Sequence, residues 1–138
     1  MSTLLGFDFG PRKIGVAVGQ TITGSATPLT TLRSRNERPD WERIQALIQD
    51  WKPSALVLGL PYNMDGTEVD WSPRVHRFGR QLQGRFGLPV HLVDERLTSR
   101  EAHRRLSERP GQKQPPTREA VDAAAAALIL ETWLCEQD

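Results

Sequence analysis

Four carboxylates sit where their surroundings invite chemistry. They are Asp8 inside the apolar run Leu4 to Phe9, the pair Asp94 and Glu95 at the end of another, and Asp122 beside a run of alanines. A carboxylate buried without a partner costs several kcal/mol, so Asp8 is expected at a site where a metal or polar group compensates it. Its other use is local, as a hydrogen-bond acceptor for the Gly10-Pro11-Arg12-Lys13 turn that follows. Three carboxylates gathered in one cleft repel unless cations lie between them. That is the hard-oxygen set that Mg²⁺ takes, with waters and substrate phosphate completing its shell. The chemistry implied is phosphodiester hydrolysis, in its two-metal form with one ion acidifying the attacking water and the other stabilising the departing oxygen. Asp94 and Glu95 cannot both face such a cleft if their strand stays extended, because adjacent side chains alternate faces. One is then a ligand and the other structural. His76, His91 and His103 have no metal-ligand spacing and no paired cysteine, and read as structural or surface residues.

The elements that must position these acids follow from periodicity. Leu4 to Phe9 and Ile14 to Gly19 read as strands of a hairpin, and Ala26 to Leu32 as a third strand that Pro28 confines to an edge or a bulge. Asp40 can cap a helix with apolar Trp41, Ile44, Leu47, Ile48 and Trp51, ended by Pro53. Ala55 to Leu60 is apolar throughout, as for a strand covered on both faces, and should have a parallel neighbour. The turn LPYNMDGT follows, in which Asn63 and Asp65 either orient groups near Asp8 or simply make a tight turn at Asp65-Gly66. Val75, Phe78, Leu82 and Phe86 stripe the next helix, Val90 to Val93 is a strand, and Thr98 with Glu101 fits a capping box for a helix to about Leu106. Glu108 to Pro116 reads as a mobile loop, and Thr117 can cap a last helix to about Leu134, with Val121, Ala124, Ala125, Leu128 and Trp133 inward. Its five alanines permit close approach to a sheet. The result is an α/β layered domain with a mixed sheet, whose ligands belong at the carboxyl ends of the parallel strands.

A chain of 138 residues is expected to form one domain. One cysteine excludes an intrachain disulfide, and no apolar run of about 18 residues or leader-like start is present, so a soluble cytoplasmic protein without membrane association is expected. The net charge of +1 hides a division: residues 70–118 hold eleven Lys and Arg against five acids, and residues 119–138 hold five acids and no Lys or Arg. A basic block of this kind suits a polyanionic partner, although Arg-rich helix faces can also be merely solvated. The cations expected to meet nucleic acid are Arg12 and Lys13 in the first turn, Arg74, Arg77 and Arg80 on the second helix, and Arg96 and Arg100 past the fifth strand.

Four motifs in order, DFGPRKIGVAVG, GLPYNMDGT, DERLT and the Asp122-Ala123-Ala124-Ala125 helix start, give the chain a resemblance over nearly its whole length. It resembles the YqgF/RuvX family of RNase H-like proteins, whose members are named as pre-16S rRNA nucleases and as Holliday junction resolvases. The resemblance implies a single RNase H-like nuclease domain over residues 1–138, with a five-stranded mixed sheet, the second strand antiparallel, and helices on both faces. It implies Asp8, Glu95 and Asp122 as the catalytic acids, which on the carboxylate argument above are the ligands of Mg²⁺ or Mn²⁺, two ions; the placement of Asn63, Asp65 and Asp94 makes them candidate outer supports.

The first motif also resembles the phosphate hairpin of actin-like ATPases and sugar kinases, but closing over a nucleotide takes two such domains and this chain supplies one. A non-catalytic nucleic-acid-binding module is the other alternative. Retention of acids at all three positions argues against it, because an unused carboxylate cluster destabilises its fold. The favoured activity is trimming of the 5′ end of pre-16S rRNA, with resolution of Holliday junctions as the alternative. The partner is then structured RNA or branched DNA. A junction with two symmetric strands calls for a homodimer, whereas RNA trimming can be done by a monomer.

Overall fold

The computed structural model describes residues 2–63, 65–94 and 118–136. The described elements are β1 (Thr3–Phe9), β2 (Lys13–Gln20), β3 (Ser25–Arg33), α1 (Trp41–Trp51), β4 (Ala55–Leu60), α2 (Ser72–Phe86), β5 (Val90–Asp94) and α3 (Arg118–Glu136). The strands form one sheet in the order β3-β2-β1-β4-β5. β2 runs antiparallel to β1 and β3, while β1, β4 and β5 are mutually parallel. This is the mixed sheet expected of an RNase H-like chain. The helix expected at Thr98 to Leu106, the loop at 108–116 and the Thr117 cap lie outside the described residues.

Alternation along the strands divides the core into two layers. Leu5, Phe7 and Phe9 of β1, Ile14, Val16 and Val18 of β2, and Leu56, Leu58 and Leu60 of β4 pack with Ile44 of α1 and Val75, Phe78 and Leu82 of α2. Phe7 meets Phe78 edge to face at 5.8 Å between centroids, a contact worth about 0.5–1.5 kcal/mol beyond its area. On the other side Leu4, Ala55, Val57 and Val93 pack with Ile129, Leu130 and Leu134 of α3. All six residues of β4 are buried, as its unbroken apolar run requires. Pro28 is accommodated in both expected ways: β3 is the sheet edge, and its register slips between Val16 and Ala17, leaving Leu29 without an opposite number.

The helix ends follow their capping residues. The Asp40 carboxylate accepts the Arg43 amide at 3.2 Å, and Lys52 closes α1 in the left-handed region just before Pro53. Gly87 closes α2 at φ +65°. The tightest stripe of α3 against the sheet is Ala126, Ile129 and Leu130, all fully buried, whereas Val121 and Trp133 are only half-buried. Helical spacing alone gave too narrow a face, because Ala123 to Leu130 are all buried. No helix among the described residues is long and apolar enough to cross a membrane.

α3 lies so close to the sheet because β1 and β2 present small residues to it. A Cβ at Gly15 would stand 2.1 Å from the Asp122 carbonyl oxygen, and one at Gly6 would stand 2.9 Å from Leu130 Cβ. Ala17 packs against Ala126 and Ala127. Gly15→Ala should therefore destabilise the fold by about 1–3 kcal/mol, since the obstacle is backbone and cannot swing aside. Gly84→Ala, with nothing within 4 Å of the new methyl in an exposed helical turn, should stabilise by about 0.5–1 kcal/mol. Urea unfolding of the two variants checks the contrast, and equal effects of the same sign would refute it.

Candidate functional site

Asp8 is half-buried near the carboxyl end of β1, two residues beyond Gly6 and so on the α3 side of the sheet. Its opposite number across the β1–β2 ladder is Gly15. Residues directly opposed in an antiparallel pair project to the same face, about 5 Å apart at Cβ. The place a Gly15 side chain would occupy is taken by the backbone of Asp122. Register and the missing side chain together bring the first turns of α3 beside Asp8.

Lys13 lies two residues before Gly15 on the same face, and its ammonium stands 3.3 Å from Asp122 Oδ2. That oxygen is sealed from solvent and makes no hydrogen bond among the described residues, so the lysine neutralises it through space without being aligned on it. A buried carboxylate oxygen with unused lone pairs costs about 1–3 kcal/mol unless charge compensates it. A hard cation would use those lone pairs better than an ammonium does. Among the described residues no three His, Cys, Asp or Glu gather into a metal-sized cluster, and Glu95, expected as the third acid beside Asp8 and Asp122, lies outside the described residues.

The ambiguity between Asp94 and Glu95 is narrowed from the Asp94 side. Asp94 pairs in register with Leu60, which packs toward α1 and α2, whereas Val93 packs in the α3 layer. Asp94 is therefore on the face of the sheet opposite to Asp8.

Asn63 and Asp65 spend their side chains on their own turn. Asn63 Nδ2 donates to Thr67 Oγ1 at 3.1 Å and to the Glu68 carbonyl at 3.4 Å. Asp65 Oδ1 accepts the Thr67 hydroxyl at 2.6 Å and its amide at 3.0 Å, and Gly66 takes φ +91°. The tight-turn reading accounts for every one of these bonds. Glu68 accepts from the Ser72 hydroxyl and lies 2.8 Å from His76 Nε2, which ties the turn to α2 and gives His76 a structural role. His91 stacks on Trp133 at 4.7 Å, also structural, and His103 lies outside the described residues.

The expected cations divide between layers. Arg12 is exposed on the β1–β2 turn at the same end of the sheet as Asp8, and its carbonyl accepts the Ser34 amide. Arg74, Arg77 and Arg80 belong to α2, across the sheet from α3, and Arg96 and Arg100 lie outside the described residues. The pairing of Lys13 with Asp122 was not read from the sequence. Its signal was the run Gly15, Ala17 and Gly19, small at every second position, matched by five alanines in α3.

A family model described as "RuvX: Holliday junction resolvase" matches residues 2–136. The chain is 56% identical over 135 residues to a protein of Azotobacter vinelandii named "Putative pre-16S rRNA nuclease", covering 97% of this chain and 94% of that one. Among solved structures it is similar in fold to Thermus thermophilus RuvC in complex with a Holliday junction substrate, with a TM-score of 0.59, 16% identity, and 99% and 96% of the two chains covered. A fowlpox virus resolvase bound to Holliday junction DNA gives a TM-score of 0.60 at 13% identity, with 98% of each chain covered.

The turn at Asn63 to Glu68 carries a pH signature. The Thr67 hydroxyl, and then its amide, hold the Asp65 carboxyl below its usual value of 3.8. A depressed folded value means that the support is present above the unfolded value and is lost as pH falls through the folded one. The Thr67 amide resonance, followed by NMR, should titrate with a midpoint below the ordinary Asp value. Movement centred on the ordinary value would contradict the hydrogen bonds.

Proposed function

The chain belongs to the RuvX family, and on that premise we propose that it is a divalent-metal-dependent nuclease, a single RNase H-like domain that trims the 5′ end of pre-16S rRNA. The observation that supports the reading is that the Asp122 backbone fills the side-chain position of Gly15, the residue opposite Asp8, while the sealed Oδ2 of Asp122 has no hydrogen-bond donor among the described residues. The names of relatives at about half identity support the choice of substrate.

Asp8, Asp122 and Glu95 are the acids that would hold Mg²⁺ or Mn²⁺, as two ions. When bound, such ions supply an acidified water and neutralise charge on the scissile phosphate and its leaving oxygen. The chain itself contributes placement. Gly15 admits α3 close enough to set Asp122 beside Asp8, and Lys13 offsets the negative charge of Asp122 at the rim where a phosphate approaches. Arg12 stands exposed on the same turn to meet the backbone of the nucleic acid, with Arg96 and Arg100 as further cations and Arg74, Arg77 and Arg80 behind the sheet. Asp94, Asn63 and Asp65 support strand and turn.

Cleavage of Holliday junctions is a second reading, favoured by the description of the matched family model. It requires two copies acting on symmetric strands. One experiment separates the two: purified protein is offered a 5′-extended 16S rRNA precursor and a four-way DNA junction, in Mg²⁺ and in Mn²⁺. The RNA should be cut and the junction left intact. Asp8→Asn and Asp122→Asn should each lower RNA cleavage about a thousandfold, roughly 4 kcal/mol of barrier. Junction cleavage with intact RNA would select the second reading, and near-parent rates in Asp8→Asn would refute both.

A further inference from the structure

Behind the acid face, α2 and the segment joining β3 to α1 enclose a groove of about 520 Å³. Among the described residues its walls carry Arg38, Arg74, Arg77 and Arg85 against a single acid, Glu37. Trp41 and Phe78, stacked at 5.5 Å, form its floor, and the Arg85 guanidinium lies 4.3 Å over the Trp41 ring, which fixes one wall by cation–π attraction. Arg80 is exposed on α2 but does not line the groove.

The turn that delivers Arg38 is built against its own preferences. Arg35 and Arg38 exchange backbone hydrogen bonds of 3.0 and 2.8 Å around Asn36 and Glu37, whose φ values are +50° and +64°. Two positive φ values make the primed kind of tight turn, where Gly is the ordinary second residue and Glu is strained. Directly opposed like charges, here Arg35 and Arg38, are also unfavourable. Both costs are tolerated in a turn that holds out two arginines.

The groove is linked to the acids by a line of cations. Lys13, the neighbour of Asp122, is paired across the β2–β3 ladder with exposed Arg33. Arg33 and Arg35 line a depression that shares Asn36, Arg38, Pro39 and Trp41 with the groove; Asp40 and Glu42 at the start of α1 also line it, so its three arginines leave it basic by a single charge. A basic track thus runs from the acid face, round the β3 edge, to α2.

Resting on the nuclease reading above, we propose that this track and groove bind the backbone of nucleic acid flanking the scissile phosphate. The substrate is then gripped on both faces of the sheet, and the enzyme acts on long structured strands in preference to short ones. Glu37, 3.3 Å from Arg74 and largely exposed, partly screens the groove.

The test measures binding by fluorescence anisotropy in EDTA, using a labelled RNA hairpin with a long 5′ flank and a hexanucleotide too short to span the track. Arg38→Ala/Arg77→Ala should weaken hairpin binding about tenfold or more and flatten the log–log salt slope by about one to two units, and the parent should bind the hairpin well above the hexanucleotide, which reaches only part of the track. Arg43→Ala, the loss of one exposed cation on α1 outside the groove, should match the parent, and Arg77→Ala alone, the loss of one cation inside it, should not. Glu37→Gln should tighten hairpin binding severalfold, a gain that misfolding cannot mimic. Parental affinity and slope in the double variant, or no gain in Glu37→Gln, would overturn the groove. Parent cleavage of the hairpin in Mg²⁺ reports on the nuclease separately. If the parent neither binds nor cuts it, both readings fall.

Discussion

The site depends on one close approach. At Gly15 the backbone of α3 occupies the space where any other residue would carry its side chain. Asp8 is directly opposite Gly15, and Lys13 is the next residue on that face of β2, so the contact fixes Asp122 relative to both. A helix held off by ordinary side chains would put Asp122 farther from the sheet. The alanines of α3 and the small residues of β1 and β2 are thus a device for positioning charge as much as for packing.

Much of this was legible in the chain because it is local. Strand alternation, the Asp40 cap, the buried run of β4 and the turn at Asp65-Gly66 each depend on residues near in sequence, and the structure agrees with them. The five alanines signalled a close contact, but its partner Gly15 is more than a hundred residues away. Alternation said that Asp94 and Glu95 diverge. Placing Asp94 on the face away from Asp8 needed the register of β5 against β4 and β4 against β1, and sequence periodicity does not carry register between strands far apart in the chain. The arginines of α2 were visible as an acid-free helix face, yet their division between groove and open surface depends on Arg38 and Trp41, which arrive from another segment.

The sheet separates two electrostatic environments. On the α3 side, Asp8 and Asp122 share a face, and Lys13 offsets the charge of Asp122. On the α2 side, arginines surround an aromatic floor with little opposing charge. A polyanion brought to the carboxylates unaided would be repelled by them, and cations on the rim and beyond it offset that repulsion. On the function proposed above, a bound metal and the basic track would act on one substrate by the same Coulombic logic, one at the bond to be broken and the other along the strand that leads to it.

The most direct test of the claim that Asp8 and Asp122 share one cation site is the shift in melting temperature on adding Mg²⁺ or Mn²⁺ to metal-free protein. Ligands that bind only the folded state raise it by mass action. The account predicts that Asp8→Asn and Asp122→Asn each lose most of the parent's shift, while Asp94→Asn, altered on the opposite face, keeps it. Loss of the shift in Asp94→Asn with retention in the other two would contradict it.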